Sequence, residues 1–222
     1  MNMMARKIIR TGEAQEELPP VLPGFDHINR YWDKINNIYA AKILPGEYYV
    51  TVCNELITTV LGSCISACIR DRVFGVGGMN HFMLPMDGRE QANSQVNSLL
   101  STSTRYGNHA MEHLINDILK HGGSRKNLEV KIFGGGRILA QMTDIGRRNI
   151  EFVHDYIRVE SLNLVSEDTG DVFPRKVIYF PVSGKVMIKK LHSLHNDTIV
   201  DRETAYLRRL KNEPIEGEVD LF

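Results

Sequence analysis

The sequence predicts an α+β layered sandwich with a mixed, largely antiparallel sheet. Three observations point there. Short β-rich runs recur with turn signals between them, as in "KVIYFPV" and "KVMIKKL" around Ser183-Gly184. Longer apolar stripes at helical spacing interrupt them rather than alternate with them regularly. Strands and helices are therefore mixed, which favours layers over a doubly wound parallel sheet. No internal repeat or low-complexity segment is present.

Residues 1–24 are polar and end in "LPPVLPG", a composition that resists regular structure and reads as a flexible N-terminal arm. In the next segment Phe25, Ile28, Tyr31, Trp32, Ile35 and Ile38 recur at steps of one, three and four, which predicts a short amphipathic helix. After the Pro45-Gly46 turn, "EYYVTV" and "ELITTVL" are β-rich runs on either side of Cys53-Asn54, expected as a hairpin. "ISACIRD" and the short run ending near His81 are further strands, and "MDGREQANSQVNS" is a polar loop.

From Thr104 a helical stripe of Ala110, Met111, Leu114, Ile115, Ile118 and Leu119 runs to a stop at Gly122-Gly123. "LEVKIFGGGRIL" is a strand entering a glycine loop. Ile150, Val153 and Ile157 mark a second helix, and "NLVSED" precedes the final hairpin. Residues 25–195 are expected to form one domain, with 196–222 a charged tail containing a helix-like stretch, "DRETAYLRRLKN".

Lys+Arg and Asp+Glu balance at 27 each, so the chain is not a general polyanion binder. No apolar run approaches the ~18 residues that span a bilayer, and no apolar stretch follows the basic N-terminal residues as in a secretory signal. Three cysteines, Cys53, Cys64 and Cys68, do not make a disulfide scaffold and fit a reducing cytoplasm.

One feature points to chemistry. In "TTVLGSCISACIRD" a Gly-Ser break separates two apolar runs, with Cys64 directly after it. A tight turn exposes a thiol and aims backbone N–H groups of Ser63 and Cys64 outward, a nucleophile with a candidate oxyanion hole. A buried small residue beside a turn would give the same letters. His81 lies 17 residues later, one strand, turn and return strand away, close enough to activate the thiol. A third group should orient the imidazole. Thr58 shares a strand face with Cys64 by parity, the turn can break that parity in favour of Thr59, and Asn80 is a further candidate.

The remaining motifs carry less. Cys64 and Cys68 lack a second Cys/His pair for a metal, and Gly134 to Gly136 lack the Lys-Ser/Thr of a phosphate loop, so a close backbone approach is expected there. His109 and His113 share a helix face without a metalloprotease's glutamate, which suggests a solvated face.

"TVLGSCISACIRD" followed by "GVGGMNHFMLP" closely resembles the bacterial chemoreceptor glutamine deamidase family, CheD. The likeness continues through "TRYGNHAMEHLINDIL", "NLEVKIFGGGRI", "IGRRNIEFV", "VSEDTG" and "VIYFPVSGKVMIKKL", roughly residues 42 to 192. It implies a fold similar to cytotoxic necrotising factor-like cysteine hydrolases, and hydrolysis of receptor glutamine side chains to glutamate and ammonia without a cofactor. The family's catalytic cysteine and histidine fall on Cys64 and His81, and its threonine on Thr58 by count or Thr59 by pattern. Methyl-accepting chemotaxis receptors are the implied partners. Some members also bind the phosphatase CheC, so the alternative function is a non-catalytic module that regulates a CheC-type phosphatase. A third possibility is a cysteine hydrolase or transglutaminase acting on another protein's glutamine.

Overall fold

A computed structural model describes residues 18–85, 102–138, 145–192 and 197–212. Most of the N-terminal arm, the "MDGREQANSQVNS" loop and the acidic C-terminal end lie outside the described residues.

Among the described residues the architecture is α+β, with two five-stranded mixed sheets and three α-helices. The strands of the first sheet are β1 (Asn29–Asp33), β2 (Ile38–Lys42), β4 (Leu56–Leu61), β9 (Arg175–Phe180) and β10 (Lys185–Lys190), in that spatial order. The second runs β3 (Tyr48–Thr51), β6 (Gly77–Asn80), β5 (Ile65–Asp71), β7 (Leu128–Gly134), β8 (Asn163–Thr169). All neighbours are antiparallel except β2 with β4 and β7 with β8. A parallel pair needs a crossover. Helix α2 (Ile145–Val159) supplies it between β7 and β8, and β3, which belongs to the other sheet, lies in the connection from β2 to β4.

One apolar core joins Ile57, Leu61, Val177 and Tyr179 of the first sheet to Tyr49, Ile65, Ala67 and Ile69 of the second. Met111, Leu114, Ile115 and Ile118 of α1 (Thr102–Lys120) and Val153, Tyr156 and Ile157 of α2 close it over the second sheet. No described helix is long and apolar enough to cross a membrane.

Two local expectations are corrected. The segment after Phe25 is the β1–β2 hairpin, not an amphipathic helix. Asp33 Oδ1 accepts the N–H groups of Ile35 and Asn36, and Asn37 sits at positive φ, so the polar run closes a turn that leaves Ile35 95% exposed. Trp32 stacks edge-on against its cross-strand partner Tyr39, a pairing that helical spacing hides. Likewise β3 and β4 do not form a hairpin, because they belong to different sheets. Between them the Glu55 carboxylate is buried against Thr51 Oγ1, Tyr49 Oη and the Arg30 guanidinium, and this corner carries the chain from one sheet to the other.

Candidate active site

Leu61 ends β4 in the first sheet and Ile65 begins β5 in the second, so Gly62-Ser63-Cys64 is a second crossing between sheets. Each of its carbonyls is claimed from one side. Gly136 N–H donates to Gly62 O at 2.7 Å, Asn149 Nδ2 to Ser63 O at 2.7 Å, and Gly135 N–H to Cys64 O at 2.7 Å. Asn149 also accepts Leu84 N–H at 2.9 Å, tying the crossing to α2 and to the segment after His81. At Gly134 φ is +112°, and a Cβ there would overlap the Cys64 carbonyl oxygen. The three glycines after "KIF" thus serve a close backbone approach, as their lack of phosphate-loop companions implied.

With the carbonyls pinned, the N–H groups of Gly62, Ser63 and Cys64 converge on one point. That point is filled by the carboxylate of Glu203, from the C-terminal helix α3 (Asp197–Asn212). Gly62 N and Ser63 N lie 2.9 Å from its oxygens, Cys64 N 3.3 Å and Ser63 Oγ 2.6 Å. Successive N–H groups around one anion form a nest. The absence of a side chain at Gly62 makes the room, since a Cβ would run into Ile138 and the Glu203 oxygens.

His81 follows β6 and is fixed by its own backbone: its N–H donates to Glu47 O at 2.9 Å and its carbonyl accepts Gly46 N–H at 2.7 Å. Thr59 Oγ1 donates to Ile43 O at 2.8 Å, so toward His81 Nδ1, also at 2.8 Å, it can only accept. The proton of the neutral ring therefore sits on Nδ1. Nε2 keeps a bare lone pair and is buried without a hydrogen-bond partner. Cys64 Sγ, a ring nitrogen of His81 and a Glu203 oxygen all lie within 4.8 Å of one another.

Cys, His and Glu at such distances are also a possible metal set. The carboxylate, however, is already engaged by N–H and O–H donors, and a cradle of donors recognises an anion or a developing oxyanion.

Burial sets the resting electrostatics. Cys64 is 0% exposed, His81 1% and Glu203 1%. Burial, and then the Glu203 charge beside it, push the Cys64 thiol well above its ordinary value. Burial, and then the Arg202 charge, lower His81 from its usual 6.5 to about 3. In this arrangement both groups are neutral, and the thiol is not a nucleophile.

The structure brings Cys64, Ser63, His81 and Thr59 together and does not bring Thr58. Thr58 Oγ1 donates to Val177 O at 2.9 Å within the first sheet. Asn80 is engaged elsewhere: its Oδ1 accepts Ala67 N–H at 2.8 Å and its Nδ2 donates to Ala110 O at 3.0 Å. His109 and His113 are exposed on α1 with rings 3.9 Å apart. Cys68 is a buried neighbour inside β5.

Sequence reasoning missed Asn149 and Glu203. A signal for the second was legible: Ile199, Tyr206 and Leu207 form a helical apolar stripe, and Glu203 lies inside it. An acidic residue on the buried face of a helix needs donors from elsewhere in the fold.

Curated relatives align over nearly the whole chain. A protein of Halorhodospira halophila named "Probable chemoreceptor glutamine deamidase CheD" is 59% identical over 205 residues, covering 92% of this chain and 94% of its own. The chain belongs to the CheD family. Proteins of the same name from Hahella chejuensis and Janthinobacterium sp. are 50% and 56% identical, covering 96% and 87% of this chain and 100% and 94% of their own. Residues 83–190 also match the CheD family profile, described as CheD chemotactic sensory transduction. That span stops short of Cys64, His81 and Glu203; the relatives aligned over nearly the whole chain carry the family, and the site rests on its geometry.

Proposed function

We propose that this chain hydrolyses glutamine side-chain amides on chemotaxis receptors to glutamate, with Cys64 as nucleophile and His81 as acid and base. One observation carries the proposal: three backbone N–H groups converge on a carboxylate beside a thiol and an imidazole whose Nε2 is unpartnered. A glutamine in the place of that carboxylate would present its amide carbon to Cys64 and its oxygen to the nest.

His81 Nε2 accepts the Cys64 proton, and the thiolate forms an S–C bond to the amide carbon. The oxyanion is held by the N–H groups of Gly62, Ser63 and Cys64; losing one such donor typically costs about 2.7–4 kcal/mol of barrier. The tetrahedral intermediate collapses as the imidazolium protonates the amide nitrogen, the C–N bond breaks, and ammonia leaves. Neutral His81 then takes a proton from water as it attacks the thioester, and returns it to the sulfur. Thr59 holds the ring in the tautomer this sequence needs; Thr58 has no part.

The relatives' printed name supports receptors as substrates. We place the enzyme in the cytoplasm, where three free cysteines are at home. Residues 25–195 are assigned as the deamidase domain, between an N-terminal arm and a C-terminal segment whose helix α3 packs into the domain's core. The α+β two-sheet build supports likeness to cytotoxic necrotising factor-type hydrolases. A CheC-type phosphatase stays a partner by resemblance alone, and the assembled thiol and imidazole speak against a purely non-catalytic module.

Cys64→Ala is expected to abolish ammonia release from purified receptor while the circular dichroism spectrum and melting profile stay native. Retained release would sink the assignment.

A further inference from the structure

We propose that α3 is an internal occupant of the substrate seat: Glu203 lies where a target glutamine goes, in the form of the reaction's product, and a target helix must displace α3 to be deamidated. This rests on the deamidase reading above and goes beyond it, to how substrate is read and how the resting enzyme is held.

Glutamate is what deamidation leaves behind, with the same side-chain length as glutamine. Both Glu203 oxygens occupy the nest, one on Gly62 and Cys64 N–H and the other on Ser63 N–H and Oγ. The carboxylate shares its 4.8 Å cluster with Cys64 Sγ and a His81 nitrogen. An acid held only to pin a helix would have no need of the oxyanion donors and the nucleophile together.

The seat is closed. With Cys64 and His81 at 0% and 1% exposure, no outside side chain reaches the sulfur while α3 is in place. The occupant is itself a helix, and it is anchored on both sides of Glu203. Ile199 precedes it by one turn, and Tyr206 and Leu207 follow it, all buried. Tyr206 Oη is hydrogen-bonded to Tyr106 Oη of α1 and packs over Gly46 in the turn before β3. The groove therefore fits a helix that carries its reactive residue between apolar positions at −4, +3 and +4. A receptor glutamine in that setting is the predicted target.

Occupancy also disarms the chemistry. Burial raises the thiol, the Glu203 charge raises it further, and that charge leaves with α3. A target helix thus replaces an anion beside the nucleophile with a neutral amide.

The test uses the full chain. Glu203→Ala and, as a second lesion on the same face, Leu207→Asp should each raise iodoacetamide labelling of Cys64, read by peptide mass spectrometry, on the order of tenfold or more, since bonds to a charged acceptor are lost. The exposed Arg208→Ala should leave it within about twofold. Receptor deamidation should rise in the first two variants. Unchanged labelling in both, in a chain that deamidates receptor, overturns the seat of α3 and leaves the deamidase reading intact. Raised labelling with no receptor deamidation does the reverse. In Glu203→Gln the amide is delivered to Cys64 within the chain. Attack, loss of ammonia and hydrolysis by water return glutamate, seen as the mass change of an NH2-to-OH exchange, and Glu203→Gln/Cys64→Ala keeps its amide. A Glu203→Gln chain that is active on receptor yet keeps the introduced amide refutes the substrate-like placement.

Discussion

Thr58 and Thr59 are neighbours of the same type on one strand, and the site makes opposite predictions for them. Thr59→Val keeps the shape and removes Oγ1, which now serves Ile43 O as donor and His81 Nδ1 as acceptor. His81 then loses the group that keeps the proton on Nδ1, and the alternative tautomer places it on Nε2, where it blocks proton removal from Cys64. Loss of a buried hydrogen-bond partner costs about 1–3 kcal/mol, so kcat on receptor should fall roughly 5- to 150-fold with little change in KM. Thr59→Ser restores the hydroxyl and should recover most of it. Thr58→Val removes one bond to Val177 O, which should lower stability by about 0.5–1.5 kcal/mol and leave kcat near native. The assay is ammonia release from purified receptor, with urea melts of each variant alongside. Equal kcat losses at the two positions, or native kcat in Thr59→Val, would refute the orienting role and the tautomer assigned from it.

His81→Ala should reduce receptor deamidation severely and, in a Glu203→Ala background where Cys64 is open, slow its alkylation by iodoacetamide at neutral pH; unchanged alkylation would remove His81 from the activating role. Gly134→Ala places a Cβ against the Cys64 carbonyl at a φ of +112°, so it should cost at least ~1–3 kcal/mol in a urea melt and lower activity with it. Burial raises the Asp71 carboxyl, but the N–H groups of Phe74, Ser124 and Val73 and the Asn127 amide outweigh burial and hold it below its ordinary value. A depressed folded pKa gives stability that is present above the unfolded value near 3.9 and is lost as pH falls through the folded one. Asp71→Asn should therefore melt lower than native at neutral pH and lose less stability on acidification below pH ~4; parallel acid limbs for the two proteins would contradict this.

Much of the second half of the fold was legible because its signals are local. The β9–β10 hairpin turns at Ser183-Gly184, and the α1 stripe stops at Gly122-Gly123, where φ at Gly122 is +101°. The first half misled because its pairings are not local. Tyr31, Trp32, Ile35 and Ile38 fit a helical period by chance, and only the Trp32–Tyr39 pairing and the Asp33 turn make a hairpin there. "EYYVTV" and "ELITTVL" are both strands, but nothing local says that Glu55 turns the chain into another sheet. The same property blurred Thr58 and Thr59: parity holds within one strand, and Gly62 to Cys64 is where the chain leaves one sheet for the other, so a face counted from Cys64 does not carry back across it.

That crossing also explains why the Gly-Ser break precedes the cysteine. Within either sheet, the N–H groups of residues 62–64 would be spent on a neighbouring strand. Between sheets they are free, provided something takes the carbonyls, and Gly135, Gly136 and Asn149 do so. The cost is three donors that cannot be left bare in a buried site. In the reaction they meet an oxyanion; between reactions something anionic or wet must stand in. Glu203 satisfies all three at once, so α3 docking stabilises the fold by the same contacts that silence the site. Weakening α3 should thus trade stability for activity: Glu203→Ala is expected to melt below native while deamidating receptor faster. A variant that is both less stable and no faster would show that the donors, once freed, do not serve the substrate.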